Sequence, residues 1–383
     1  MRVSLRGGSY ALEESSKRAV LVLEDGTLIK GVGFGAVKKV TGEVVFNTGM
    51  VGYTEALTDP SYKGQILMQT YPLIGNYGVC SKHFESDGPK VEGYIIRELC
   101  RQPSHHTSEK RLDEWLEEEG IPGIERVDTR YLTKKIRIQG VMRGILQVYE
   151  AGDEPDFQEL LEESKRIPDP YERDLVGEVA VKEPYRMDCG GKIDVVLIDC
   201  GVKRSIVRSL LNEGLNVTVV PPTYDADKIL DYEPAGIVVS NGPGDPKRCG
   251  AIVKTISSLI ETDLPIFGIC LGNQLISLAL GGDTYKLKFG HRGQNHPCMD
   301  LKTKRCFITS QNHGFAVSEA SLKDTGLEVT MINVNDRTVE GIRHKKKPIF
   351  AVQFHPEASP GPNDTYFLFR EFKREVEKAL GRV

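Results

Sequence analysis

A cysteine set between two glycines, Gly268-Ile-Cys270-Leu-Gly272, is the residue of this chain whose type and setting most directly imply chemistry. The apolar run Ile266–Ile269 predicts a buried strand, and Leu271–Leu280 predicts a helix closed by Gly281 and Gly282. Cys270 then falls on the turn between them. G-x-C-x-G is the thiol counterpart of a nucleophile elbow, in which small neighbours allow a sharp strand-to-helix turn with the side chain exposed. The positive end of the helix favours an ionised thiol there. A lone cysteine is equally at home as a small buried hydrophobe, so the reading depends on partners.

Partners are found near the C-terminus. Ile349–Phe354 predicts a strand that delivers His355, Pro356 and Glu357. In an extended segment side chains two apart share a side, which puts the Glu357 carboxylate within reach of the His355 imidazole. A carboxylate so placed fixes the imidazole tautomer and stabilises the imidazolium. Taken alone, His-Pro-Glu is an ordinary exposed turn. A third segment, Ala235–Ser240, predicts a strand running into Asn241-Gly-Pro-Gly-Asp-Pro246. Glycines at a strand's C-terminal end let backbone N–H groups approach a ligand. One such N–H, with that of Leu271 just after the cysteine, would form an oxyanion hole. Nucleophile, base, orienting carboxylate and oxyanion donors together specify acyl transfer.

The elements that must position these groups fall into two parts. From Ile193 onward strands and helices alternate: Ile193–Ile198, Arg204–Asn212, Val217–Val220 and Asp225–Leu230 precede the glycine loop and the elbow. That pattern predicts an α/β fold with a doubly wound, mainly parallel sheet over residues 193–383. Upstream, residues 19–150 predict a mixed β/α domain, with a hairpin around Asp25-Gly26 and a helical stretch Glu109–Glu119. Residues 151–192 are polar and irregular, with room for one short helix, and read as a linker. Residues 1–18 read as a mobile N-terminal extension.

Composition narrows the classes. The 383 residues carry 50 basic and 54 acidic side chains, so charge makes no case for nucleic acid. No run approaches the roughly 18 apolar residues of a membrane span. The first residues lack a signal-peptide core, which predicts a cytoplasmic protein. Eight cysteines occur without a C-x-x-C pair, so neither a zinc site nor a disulfide framework is expected, and most should be buried thiols. His291, His296 and His313 lack useful metal-ligand spacing and predict structural hydrogen bonding, so no metal site is expected.

With these residues in view, GICLGNQ, SNGPGDP and FHPEASPGP resemble the class I glutamine amidotransferase family. QNHGFAV, and the N-terminal segments LVLEDGT, GEVVFNTGMVGYTEALTDPSYKGQIL, YPLIGNYG and DTRYLTKKIR, are similar to the small-subunit branch of that family found in carbamoyl phosphate synthetases. The similarity runs from about Ala19 to the end. It implies a glutaminase with the triad Cys270, His355 and Glu357. It also implies L-glutamine binding by Ser61, Gly242, Gly244, Leu271, Gln274, Asn312, Gly314 and Phe315. The partner implied is a large synthetase subunit that receives ammonia, with ATP and a divalent metal bound there and no cofactor in this chain. The product would be carbamoyl phosphate for arginine and pyrimidine synthesis. The segments Asn47–Tyr53 and Tyr71–Tyr77, rich in glycine and aromatic residues, are expected at or near that subunit. One departure is Asn273, where many members carry His, which implies altered tuning. The alternatives are a free cysteine γ-glutamyl hydrolase or peptidase, and a non-catalytic regulatory subunit.

Overall fold

A computed structural model describes residues 16–382. The N-terminal half is a closed barrel of β1 (Lys17–Leu23), β2 (Leu28–Gly35), β3 (Lys39–Asn47), β4 (Gln65–Gln69), β6 (Gly93–Ile95), β8 (Pro122–Glu125) and β9 (Met142–Glu150), in the order β1-β2-β8-β6-β4-β3-β9. Short β5 (Leu73–Ile74) and β7 (Glu98–Leu99) pair beside it. The hairpin expected around Asp25-Gly26 joins β1 to β2, with Gly26 at a positive φ of 86°.

β1 reads as a continuous apolar run because both of its faces are covered. Ala19, Leu21 and Leu23 face the barrel core with Val44, Ile66 and Leu146. Val20 and Val22 pack outward with Tyr149 and Leu160. Leu160 belongs to a helix, Phe157–Ser164, within the stretch whose polarity predicted a linker. That stretch also holds a 3-10 turn Pro170–Glu172, a helix Leu175–Val179 and the edge strand β10 (Tyr185–Met187). Its polar composition reflects elements that are half solvated. At the N-terminus, Lys17 and Arg18 already belong to β1, and the remainder of the expected mobile extension lies outside the described residues apart from Ser16.

The second half is a ten-stranded sheet: β10, then β12 (Leu215–Val220), β11 (Ile193–Ile198), β13 (Ile237–Val239), β14 (Ile266–Ile269), β19 (Ile349–Val352), β18 (Val339–His344), β17 (Leu327–Asn333), β15 (Thr284–Asp300) and β16 (Cys306–Val317). Strands β12, β11, β13, β14 and β19 are parallel, and the remaining pairings are antiparallel. Alternate residues of the parallel strands feed two cores, as a doubly wound sheet requires. Val196, Val239 and Ile266 meet the helices Gly250–Ile260 and Leu271–Ala279. Val195, Val238 and Phe267 meet Arg204–Asn212 and Phe367–Ala379 on the opposite face.

Element ends differ from expectation by a few residues. The strand expected over Ala235–Ser240 spans Ile237–Val239, and that over Ile349–Phe354 stops at Val352. The helix expected from Glu109 starts at Leu112, where the Glu114 carboxylate accepts the Arg111 N–H at 3.3 Å across the first turn. All eight cysteines are unpaired, but four are buried: Cys80, Cys200, Cys270 and Cys298. Cys189 and Cys306 are exposed, so the expectation that most are buried thiols does not hold. Among the described residues no helix is long and apolar enough to cross a membrane.

Candidate active site

Cys270 is the N-cap of the helix Leu271–Ala279, and its backbone sits at φ 56°, ψ −101°, a strained left-handed turn for a residue with a side chain. The flanking glycines are required by contact. A Cβ on Gly272 would lie 2.2 Å from the Val239 carbonyl oxygen, and one on Gly268 would lie 2.6 Å from Ile276 Cδ1. The turn is anchored by the Cys270 N–H donating to Val352 O at 2.8 Å, which ties the elbow backbone to the strand leading to His355. The elbow pattern predicts an exposed thiol, yet Cys270 is only 2% exposed. The pocket around it is covered, for the reason given below.

His355 and Glu357 leave the end of β19 through a turn, and the His355 N–H donates to Ser310 O at 2.9 Å. His355 Nδ1 and Glu357 Oε1 are 2.7 Å apart. His355 Nε2 is buried and makes no hydrogen bond, on a ring whose charge state responds to Cys270. In an unliganded site such contacts are often loose and tighten when substrate binds. Burial alone would strip the proton from His355, but the Glu357 charge outweighs it and holds the imidazole proton-rich.

Glu357 has a second partner that no motif announced. Lys203 Nζ donates to Glu357 Oε1 at 3.0 Å and to the Ala358 carbonyl at 2.8 Å, with lysine and glutamate both buried. Burial pushes the Glu357 carboxyl up, and the Lys203 ammonium and His355 more than reverse this, holding it well below the usual carboxylate range. A carboxylate shared between an ammonium and an imidazole cannot swing away from the ring. Lys203→Met would leave that carboxylate short of one buried partner, so we expect a stability loss on the order of 3 kcal/mol by urea unfolding, with reduced kcat. In a double-mutant cycle, adding Glu357→Gln should recover part of the stability loss but none of the activity.

Eight of the expected residues line one small pocket: Cys270, Ser61, Gly242, Gly244, Gln274, Asn312, Gly314 and Phe315, with Gln65, Tyr171, Pro243, Arg292 and His313. Leu271 lies outside that lining and is packed in the sheet core, which leaves its helix-terminal N–H as the group it can present. The halves of the molecule are stitched together across the pocket. Asn312 Nδ2 donates to Asp59 Oδ2 at 2.8 Å, Ser61 N–H to Asp59 Oδ1 at 2.9 Å, and Asn241 Nδ2 to Ser61 Oγ at 2.9 Å. Asn241 Oδ1 in turn accepts from the Lys203 N–H at 3.1 Å. Behind the thiol, Gln353 Nε2 donates to Cys270 Sγ at 3.7 Å, and its Oε1 accepts from Asn273 and Gln274, each at 3.1 Å. Asn273, the departure from the family pattern, is therefore a buried brace for Gln353.

The pocket holds about 20 Å³, room for about one water. Tyr171, Pro243 and Gly244 separate it from a cleft of about 400 Å³ lined also by Arg173–Gly177, Pro222 and Arg248. Tyr171 meets the Phe315 ring edge-on at 5.6 Å, and its hydroxyl donates to Glu43 Oε2 at 2.5 Å. A residue of the expected linker is thus the cover over the thiol. Nearby, His291, His313 and Glu340 offer ligand atoms within 4.8 Å of one another. Gln311 Oε1 already lies between the two rings, 3.2 Å from His291 Nδ1 and 2.7 Å from His313 Nε2.

Comparison with known proteins agrees with this geometry. The family described as "Glutamine amidotransferase class-I" matches residues 196–374, and "Carbamoyl-phosphate synthase small chain, CPSase domain" matches residues 21–146. A carbamoyl phosphate synthase small chain of Methanopyrus kandleri is 55% identical over 93% of this chain and 98% of its own. Those of Methanocaldococcus jannaschii and Archaeoglobus fulgidus are 56% and 54% identical, over 92% and 93% of this chain and 97% and 98% of theirs. With both halves matched in order and identity sustained over nearly the whole length, the chain belongs to the carbamoyl-phosphate synthase small chain family.

Proposed function

We propose that the chain hydrolyses L-glutamine through Cys270, His355 and Glu357 and passes the ammonia to a separate large synthetase subunit. The observation that carries this reading is the buried His355 ring, held at Nδ1 by Glu357 and without a hydrogen-bond partner at Nε2, beside an elbow cysteine that itself lines the pocket. The Cys270 thiolate attacks the side-chain amide carbon, and the tetrahedral oxyanion is met by the Leu271 N–H and an N–H of the Gly242–Gly244 loop. His355 protonates the leaving ammonia, a glutamyl thioester remains, and water activated by His355 releases glutamate. ATP and a divalent metal belong to the large subunit, which combines ammonia with bicarbonate into carbamoyl phosphate for arginine and pyrimidine synthesis in the cytoplasm. The test is glutamine hydrolysis measured with and without the large chain. Stimulation by the large chain, with glutamine-dependent carbamoyl phosphate formation, is expected. A chain inert toward glutamine in both settings would end the proposal.

The reading extends to a seat for the large subunit on the N-terminal half. Of the two segments expected there, Tyr71–Tyr77 works from beneath: Tyr77 stacks on buried Tyr53 at 4.1 Å, and its hydroxyl accepts the N–H groups of Gly52 and Tyr53. This support pushes Met50 and Val51 outward, 70% and 56% exposed, an apolar pair on the surface. Gly52 abuts Pro360, three residues beyond Glu357, so a partner seated on Met50 and Val51 touches the segment that carries the triad carboxylate. Met50→Asp with Val51→Asp should weaken binding of the large chain about tenfold or more, measured by titration, while glutamine hydrolysis by the isolated small chain stays unchanged. Undiminished binding would place the interface elsewhere.

A further inference from the structure

Gln353 is a buried amide whose orientation is fixed by groups other than the thiol it faces. It is fully buried, directly follows β19, and its backbone N–H donates to the Glu340 carbonyl at 2.9 Å. A backbone carbonyl can only accept, so the Phe315 carbonyl, 2.8 Å from Gln274 Nε2, fixes which end of the Gln274 amide is NH2. That NH2 also donates to Gln353 Oε1 at 3.1 Å, where Asn273 Nδ2 donates at 3.1 Å as well. With its oxygen held by two donors, the Gln353 amide presents its NH2 to Cys270 Sγ, 3.7 Å away.

The sulfur therefore has two unlike neighbours. The Asn312 carbonyl, 3.6 Å from Sγ, accepts the S–H of the neutral thiol and offers nothing to a thiolate. Gln353 offers an N–H, and a hydrogen bond to the charged form favours that form. In the first half-reaction the sulfur electron pair forms the bond to the amide carbon and the C–N bond breaks, the nitrogen taking its proton from His355. In the second, water adds, its proton passes to His355, and the C–S bond breaks with its electron pair returning to sulfur. His355 changes its charge at each of these steps, whereas an amide keeps its protons throughout.

We infer that Gln353 is a further catalytic residue, the fixed N–H donor that holds the Cys270 sulfur as a thiolate before attack and again as the leaving group, with Asn273 and Gln274 aiming its amide. This rests on the glutaminase reading above. A donor set in place before the reaction stabilises the anion without reorganising when charge develops. The departure at Asn273 then acts on the thiol through Gln353.

The experiment follows alkylation of Cys270 by iodoacetamide across pH in the complex with the large chain. Peptide mass spectrometry locates the label, because Cys189 and Cys306 are exposed to the reagent. Glutamine- and ammonia-dependent synthesis are measured on the same samples. Gln353→Met keeps the length of the side chain and removes the donor. It should slow alkylation at neutral pH on the order of 10- to 100-fold, the worth of a hydrogen bond to a charged group, and converge on the wild-type rate at high pH, where the thiol ionises unaided. The kcat for glutamine should fall by a similar factor while ammonia-dependent synthesis is unchanged. Asn273→Leu releases the amide from one of its two donors and should move both readouts the same way by less. It carries the test if the Met variant does not co-purify with the large chain. A wild-type alkylation profile in the variant that carries the test, with only KM raised, would make Gln353 a structural brace for Gln274 and overturn the assignment. A wild type that still uses glutamine after full labelling at Cys270 would instead refute the thiol nucleophile, and with it the glutaminase reading.

Discussion

Replacing Cys270 by Ser should lower glutamine-dependent carbamoyl phosphate synthesis on the order of 10⁴-fold or more, while synthesis from added ammonia by the same complex stays near wild type. Only the thioester step needs the thiol, and ammonia enters after it. The substitution suits the site because Ser is close in size to Cys in a buried setting whose backbone, at φ 56°, is held by the Val352 carbonyl and by packed glycines on either side. The pocket and its hydrogen bonds therefore persist, and glutamine binding should survive the loss of turnover. Glutamine hydrolysis and the two synthesis rates, measured side by side, make the check. Retained glutamine use would assign the nucleophile to another residue.

How much of this was legible in the sequence depends on whether a group announces itself locally. The elbow was readable because the turn needs small residues on both sides of Cys270, and the contacts at Gly268 and Gly272 show why. His355 and Glu357 were readable because their relation spans two residues. Lys203 was not, since its partner Glu357 lies 154 residues away and no local pattern marks it. Gln353 was hidden for the same reason, since Cys270 lies 83 residues away, and Arg292 because pairing with Asn312 on the next strand says nothing of the pocket that both line. Tyr171 was concealed by composition. It sits in a polar stretch whose exposed residues signal a linker, while Tyr171 itself is buried against Phe315 and hydrogen-bonded to the barrel. The strand cores of the parallel sheet were found within a few residues, because burial on both faces writes continuous apolar runs. The closure of the N-terminal barrel was not, because pairing order leaves no trace in any single strand.

The two remaining triad members should separate in size of effect and in pH dependence. In the proposed mechanism His355 moves protons in both half-reactions, so His355→Asn should lower kcat on the order of 10⁵-fold, whereas Glu357→Gln, which removes only the orienting charge, should cost on the order of 10²- to 10⁴-fold. The sign of the pH effect follows from the Glu357 charge, which outweighs burial. In the wild type the Glu357 charge holds the proton on His355 against the pull of burial and of the Lys203 ammonium, so the imidazolium persists to higher pH than an ordinary histidine. Protonation of departing ammonia needs that proton, and activity falls as pH rises through the His355 pKa. Glu357→Gln deletes the charge that raises this pKa and leaves Lys203, which lowers it. The alkaline limb of kcat should therefore move to lower pH in Glu357→Gln, and the residual activity should be best preserved on the acid side. A limb that stays in place, or moves upward, would mean that Glu357 fixes the ring by geometry alone. A His355→Asn variant that hydrolyses glutamine at the wild-type rate would remove the triad from the mechanism altogether.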